Sequence, residues 1–195
     1  MVRQLIQRDP NIHRRDDSPL FDDGNYFTFH STIDSANTLS SGQLQNTKGN
    51  ISMTTAGARS SENWQLYYQQ GRYFIRNYDY LGTWQLGLTE DSKVVPKLLP
   101  RDGSLGQQWT LTKQDDGNFR FTNGLLGNDS ALGLVSGNTI PAMQIAGKGT
   151  SWTILPNLSA LGTGVKDSTM LKDNTDFEVS CTPFLMIRIL RRDQY

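Results

Sequence analysis

A tryptophan phrase that returns three times constrains this chain more than any other feature. Trp64, Trp109 and Trp152 stand in "ENWQLYYQ", "QQWTLTKQ" and "TSWTILPN", at spacings of 45 and 43 residues. An aromatic strand phrase recurs with them: "NYFTFH" from Asn25, "RYFIRN" from Arg72 and "NFRFTN" from Asn118. Fourteen residues beyond the start of each of these phrases comes a third landmark, Leu39-Ser40-Ser41, Leu86-Gly87-Leu88 and Leu132-Gly133-Leu134. Three landmarks in fixed order, three times over, define an internal repeat. On this spacing Tyr26, Tyr73 and Phe119 fall at one register, and Thr28, Ile75 and Phe121 two residues further on. A period of two places each pair on one face of its strand.

The units run about 25–70, 71–116 and 117–158. Each reads as four short strands, because alternating apolar residues are bounded by Gly, Asn and Asp and a sustained 3.6-residue period is missing. Four short strands cannot bury their own apolar face. Three units around a threefold axis share one core and leave no long free edge. A propeller blade has a similar length, but three blades do not close. The expectation is an all-β chain whose residues 22–158 form a β-trefoil. Residues 1–21 are then a flexible N-terminal arm, and residues 159–195 a polar linker and C-terminal tail ending in the apolar, β-prone "TPFLMIRILRRDQY".

Charge and composition exclude several functions. Lys+Arg and Asp+Glu both total 19, so the net charge is zero and the basic excess of a nucleic-acid binder is missing. No apolar stretch reaches the length of a membrane span, and the N-terminus shows no secretory apolar run. A soluble chain, cytoplasmic or exported by a non-classical route, is expected. Cys181 is the single cysteine and has no histidine partner in sequence. His13 and His30 lack a metal-ligand spacing. "AGKGTS" from Ala146 lacks the order of a phosphate loop and reads as the turn before Trp152. The expectation is no enzyme, no cofactor and no metal.

The tryptophan phrases resemble the Gln-x-Trp repeats of the ricin-B-like β-trefoil lectins, and "YFIRNYDYLGTWQLGL" and "FRFTNGLLGNDSALGL" are similar to the strand–loop–strand that opens each repeat in fungal members. Gln107-Gln108-Trp109 has the full form; Glu62-Asn63-Trp64 and Thr150-Ser151-Trp152 depart from it. The resemblance implies a non-catalytic carbohydrate-binding module with glycans or glycoproteins as partners. It also implies a site in each repeat made of an acid, an aromatic and an amide. The acid's place falls on Ser40, Gly87 and Gly133, the aromatic's near Leu99 and Gln144, and the amide's on Glu62, Gln107 and Thr150. Most of that site is lost, so the sugar site is expected to be degenerate or relocated. The second repeat carries the aromatic-rich loop "NYDYLGTWQ". An aromatic face covers the apolar side of a pyranose, and an acid or amide reaches its hydroxyls. Tyr78, Asp79, Tyr80 and Trp84, with Lys97 and Gln107 at the rim, are therefore the candidate ligand-binding residues. The alternative reading is a protein-interaction or protease-inhibitor trefoil that has given up sugars. In both readings Trp84, in register with Leu86 and Leu88, and the two tyrosines also suit core packing.

Overall fold

The computed structural model of the chain describes residues 19–42, 49–145, 147, 149–160, 162 and 164. Twelve strands are named among them: β1 Tyr26–Ser31, β2 Asn37–Ser40, β3 Ser52–Thr55, β4 Trp64–Gln69, β5 Arg72–Asn77, β6 Trp84–Thr89, β7 Ser92–Pro100, β8 Trp109–Lys113, β9 Phe119–Asn123, β10 Ser130–Gly133, β11 Ala142–Ile145 and β12 Trp152–Pro156. Six of them close a barrel in the order β1-β12-β9-β8-β5-β4, with β4 returning to β1. The other six form three hairpins, β2–β3, β6–β7 and β10–β11. A six-stranded barrel capped by a triplet of hairpins is a β-trefoil. Closure removes the free strand edges that a single repeat would expose.

The three tryptophans make the repeat work. Each is fully buried. Each Nε1–H donates to the carbonyl of the leucine in its own repeat's third landmark: Trp64 to Leu39 at 2.9 Å, Trp109 to Leu86 at 2.8 Å and Trp152 to Leu132 at 2.8 Å. The ring fills the core while its polar edge ties a barrel strand to its cap hairpin. A buried indole N–H without an acceptor would carry a desolvation penalty of about 1–3 kcal/mol.

Strand pairing corrects the register expected for the first repeat. Trp64 pairs with Asn77, Trp109 with Asn123 and Trp152 with Ser31. Counting back from those partners, Phe29, Ile75 and Phe121 are equivalent, and all three are completely buried. Phe27, Tyr73 and Phe119 are equivalent two residues earlier. The core residues of β1 are therefore Phe27 and Phe29, one residue later than Tyr26 and Thr28. The connection before the third landmark is one residue shorter in the first repeat, 8 residues from Ser31 to Leu39 against 9 from Asn77 to Leu86. Alignment on the leucine thus slid β1 by one, which turns every side chain to the opposite face.

Phe21, inside the expected arm, is packed at the barrel end away from the hairpins. Its ring lies 5.2 Å from Phe27, 6.1 Å from Tyr73 and 5.0 Å from Phe119, the three equivalent aromatics. The Leu20 N–H donates to the Tyr73 hydroxyl at 2.6 Å. On the C-terminal side, the Asn157 N–H donates to the Tyr26 carbonyl and the Gly164 N–H to that of Gly24. The rest of the arm and the apolar tail lie outside the described residues.

Candidate functional site

The cap hairpins leave grooves where the second repeat meets the third and where the third meets the first. One of them is a cleft of about 650 Å³ in the second repeat. Its floor is apolar, with Leu88, Leu99, Leu105 and Leu125, the last contributed by the third repeat. Its rim is polar, with Glu90, Arg101, Asp102 and Ser104.

The loop 101–107 forms one wall, and Gln107 holds it. Gln107 is buried. Its Oε1 accepts from the Asp102 N–H at 3.0 Å and the Gly103 N–H at 3.3 Å, and its Nε2 donates to the Pro100 carbonyl at 2.8 Å. Asp102 Oδ1 accepts from the Ser104 N–H at 2.9 Å. Gly106 lets this loop lie against β6: a Cβ there would stand 2.0 Å from the Leu88 carbonyl oxygen. The opposite loop is set from the barrel. Asn123 Nδ2 donates to the Gly106 carbonyl at 2.8 Å, and its Oδ1 accepts the Leu125 N–H at 3.0 Å, which sets Leu125 on the cleft.

The structure divides the six residues expected to bind ligand. Gln107 lines the cleft, but both ends of its amide are taken up by the loop. Lys97 is exposed on β7 opposite Gly87, on the strand face that also carries Leu99. Tyr78, Asp79, Tyr80 and Trp84 are not among the cleft's lining residues. Tyr80 is a core residue, 5 % exposed, whose hydroxyl accepts the Gly49 N–H at 3.0 Å. Trp84 is strand-paired with Pro100, but its ring packs on Tyr80 at 5.5 Å and faces the core. Tyr78 exposes part of its ring and sets its edge on Tyr26 at 5.2 Å. The Asp79 N–H donates to Asn77 Oδ1 at 3.1 Å. The aromatic loop therefore offers one exposed ring rather than a three-ring platform. Tyr80 belongs to the core cluster and Trp84 packs against it.

Sequence reasoning missed Glu90, Asp102, Ser104 and the leucine floor. An Asp-Gly turn five residues before Gln107 was the available signal. Leu125 carried none, because its part in the cleft follows from the packing of the third repeat on the second. His30 is engaged at both nitrogens: Nδ1 lies 3.0 Å from the Asn37 carbonyl and so donates to it, and Nε2 lies 3.2 Å from Thr28 Oγ1. His13 and Cys181 lie outside the described residues.

Comparison with known proteins bears on the fold. No family model matches the chain, and no curated protein does. Solved structures are similar. A mosquitocidal holotoxin superposes with a TM-score of 0.60 at 18 % identity over 68 % of this chain, which spans 17 % of the toxin. The BEL β-trefoil gives 0.56 at 13 % identity over 71 % of this chain and 97 % of its own. A GlcNAcα1-4Gal-releasing endo-β-galactosidase from Clostridium perfringens gives 0.57 at 14 % identity over 68 % of this chain and 32 % of that enzyme. At these identities the likeness establishes the β-trefoil fold.

Proposed function

We propose that the chain is a non-catalytic carbohydrate-binding module of the ricin-B-like kind, with a relocated sugar site in the second-repeat cleft. The observation that carries this reading is the cleft itself, about 650 Å³, lined by four leucines together with Glu90, Asp102 and Ser104. An apolar floor takes the C–H face of a pyranose, and carboxylate and hydroxyl groups at the rim take its hydroxyls. The fold shared with part of an endo-β-galactosidase supports the same class of ligand. A single shallow site of this sort binds at roughly millimolar strength, about −4 kcal/mol. Useful avidity then comes from several copies acting together.

The test is binding to a broad glycan array by the full chain, with Asp102→Asn and Glu90→Gln alongside. Both variants keep the shape and remove the charge. Glycan signal lost in Asp102→Asn at unchanged stability supports the cleft. Equal signal in the wild type and both variants removes the cleft from the reading.

A second reading, recognition of a protein partner, is favoured by Leu81. This residue is 54 % exposed at φ 54°, ψ −152° in the turn Tyr78–Thr83. A leucine in that conformation is strained by about 1–3 kcal/mol, and strain of this kind gathers at binding loops.

A further inference from the structure

The outer walls of the three barrel ladders are equivalent by strand pairing, and one of them differs from the other two. Trp64 and Leu66 of β4, and Tyr73 and Ile75 of β5, belong to the core. The period of two turns Gln65, Tyr67 and Gln69, and Arg72, Phe74 and Arg76, to the outside of the barrel. They face each other as Gln65–Arg76, Tyr67–Phe74 and Gln69–Arg72. The places of the first two pairs are taken by Thr110–Thr122 and Thr112–Arg120 between β8 and β9, and by Thr153–His30 and Leu155–Thr28 between β12 and β1. Thr112 and Leu155 are exposed. On the β4–β5 wall, by contrast, Phe74 is completely buried and Arg76 nearly so. The Arg76 guanidinium lies over the Tyr67 ring, 4.0 Å from its centroid. An outward phenylalanine and an outward arginine that are buried within a single chain need a cover from that chain.

The segment that follows Gly164 is placed to provide it. Gly164 is the last described residue, and it sits at the head of this wall. Its N–H donates to the Gly24 carbonyl at 3.0 Å, and a Cβ on it would stand 2.8 Å from Gln65 Nε2. From Gln65 to Gln69 the strand rises about 13 Å, so five extended residues beyond Gly164 cross the wall. The charge also matches. Residues 165–178 hold four acids, Asp167, Asp173, Asp176 and Glu178, against Lys166 and Lys172, and the wall carries Arg72 and Arg76. The N-terminal residues 1–18 suit it less, because Arg3, Arg8, Arg14 and Arg15 outnumber Asp9, Asp16 and Asp17.

We propose that residues 165–169, which lie outside the described residues, cross the β4–β5 wall as a strap, with the Asp167 carboxylate on the Arg76 guanidinium and the strap's backbone over Phe74. Buried charges are held in pairs, and a carboxylate gives a guanidinium its strongest hydrogen bonds. Asp167 is the first acid beyond Gly164, within reach of a guanidinium that already leans along the wall onto Tyr67. The wall is then a docking surface for an extended acidic strand, filled by the chain's own. The inference makes no use of the cleft and stands apart from the sugar reading.

The test places a nitroxide on the full chain through Ser168→Cys in a Cys181→Ser background. Amide line broadening is followed in assigned nitrogen-15 spectra, which also show that the fold is kept. A segment without a fixed place would broaden 23–25, beside Gly164, more than any part of the wall. The expected result is the reverse, with stronger broadening at 67–69 and 72–74 than at 23–25. Broadening at the wall that only equals or falls below that at 23–25 overturns the strap. The same wall broadening in unlabelled nitrogen-15 chains mixed with nitroxide-bearing ones assigns the wall to a second copy's segment and also overturns it. Asp167→Asn should at least halve the excess at the wall, and an unchanged excess overturns the pairing with Arg76.

Discussion

The rings of Phe21 and Phe119 lie 5.0 Å apart at the barrel end remote from the cap. Phe119 begins β9 of the third repeat, whereas Phe21 precedes the first. The contact therefore joins the chain's start to its last repeat, and with Phe27 and Tyr73 it completes an aromatic plug. Phe21→Ala should destabilise the chain by about 2–3 kcal/mol, somewhat below a fully buried Phe→Ala because Phe21 is half-buried. Urea unfolding monitored by tryptophan fluorescence measures it. A change under 0.5 kcal/mol, the scale of ordinary surface substitutions, would show that the plug is dispensable.

Glu62 and Gln107 occupy the same place two residues before their tryptophans, and the comparison predicts a stabilising change. Gln107 donates to the Pro100 carbonyl through Nε2. Glu62, 1 % exposed, accepts the Gly57 N–H through Oε2 at 3.1 Å, and its Oε1 is buried without a partner among the described residues. The carbonyl of Thr55 stands where that of Pro100 stands in the second repeat. Glu62→Gln supplies a donor at the place of Oε1, so stability should rise by about 1 kcal/mol. Thermal unfolding of the two proteins side by side decides it, and a lower midpoint for the glutamine variant refutes the equivalence.

Tyrosine burial sets an upper pH limit on the fold. Burial pushes the Tyr26 hydroxyl above its ordinary 10.0, with the neighbouring Tyr78 adding to the rise and Arg76 opposing it. Burial likewise raises Tyr73, against the lowering effect of the Leu20 N–H. In the unfolded chain both phenols release protons near the ordinary value while the folded chain holds them. Above about pH 10 the folded state therefore binds more protons, and stability falls as pH rises. The fall should flatten in Tyr26→Phe/Tyr73→Phe. Urea midpoints at pH 9, 10 and 11 test this, and an identical slope in the double variant would assign the alkaline loss to other groups.

How much of this was legible in the sequence depended on whether a residue acts within its own repeat. The tryptophans and the leucines of the third landmark do, since Trp109 bonds Leu86 inside one unit, and their recurrence exposed the trefoil. The slip at Tyr26 and Thr28 came from a connection one residue shorter, a length that strand pairing reveals and pattern does not. The candidate site was less legible. The cleft draws on 88–90, 99–102, 104–107 and Leu125, which meet through packing between repeats. Tyr80 and Gln107 carry polar atoms that suit a surface as well as an interior. Their partners, Gly49 and the backbone of 100–103, become visible only in the folded chain.

Leu81 separates the protein-recognition reading from plain loop geometry. At φ 54°, ψ −152° it adopts a conformation that glycine accepts without strain. Its side chain is exposed and contributes little packing, so Leu81→Gly removes the strain at the cost of a more flexible unfolded chain. The balance should leave stability unchanged or raised by up to about 1 kcal/mol. If the turn exists to present Leu81 and Tyr78 to a partner, the glycine variant will be the more stable protein and the poorer binder. Crosslinking at a benzophenone placed at position 83, followed by mass spectrometry, would report capture by wild type and its loss in Leu81→Gly. A glycine variant that unfolds more easily would show instead that Leu81 is held by packing, and would remove strain as an argument for recognition at this loop.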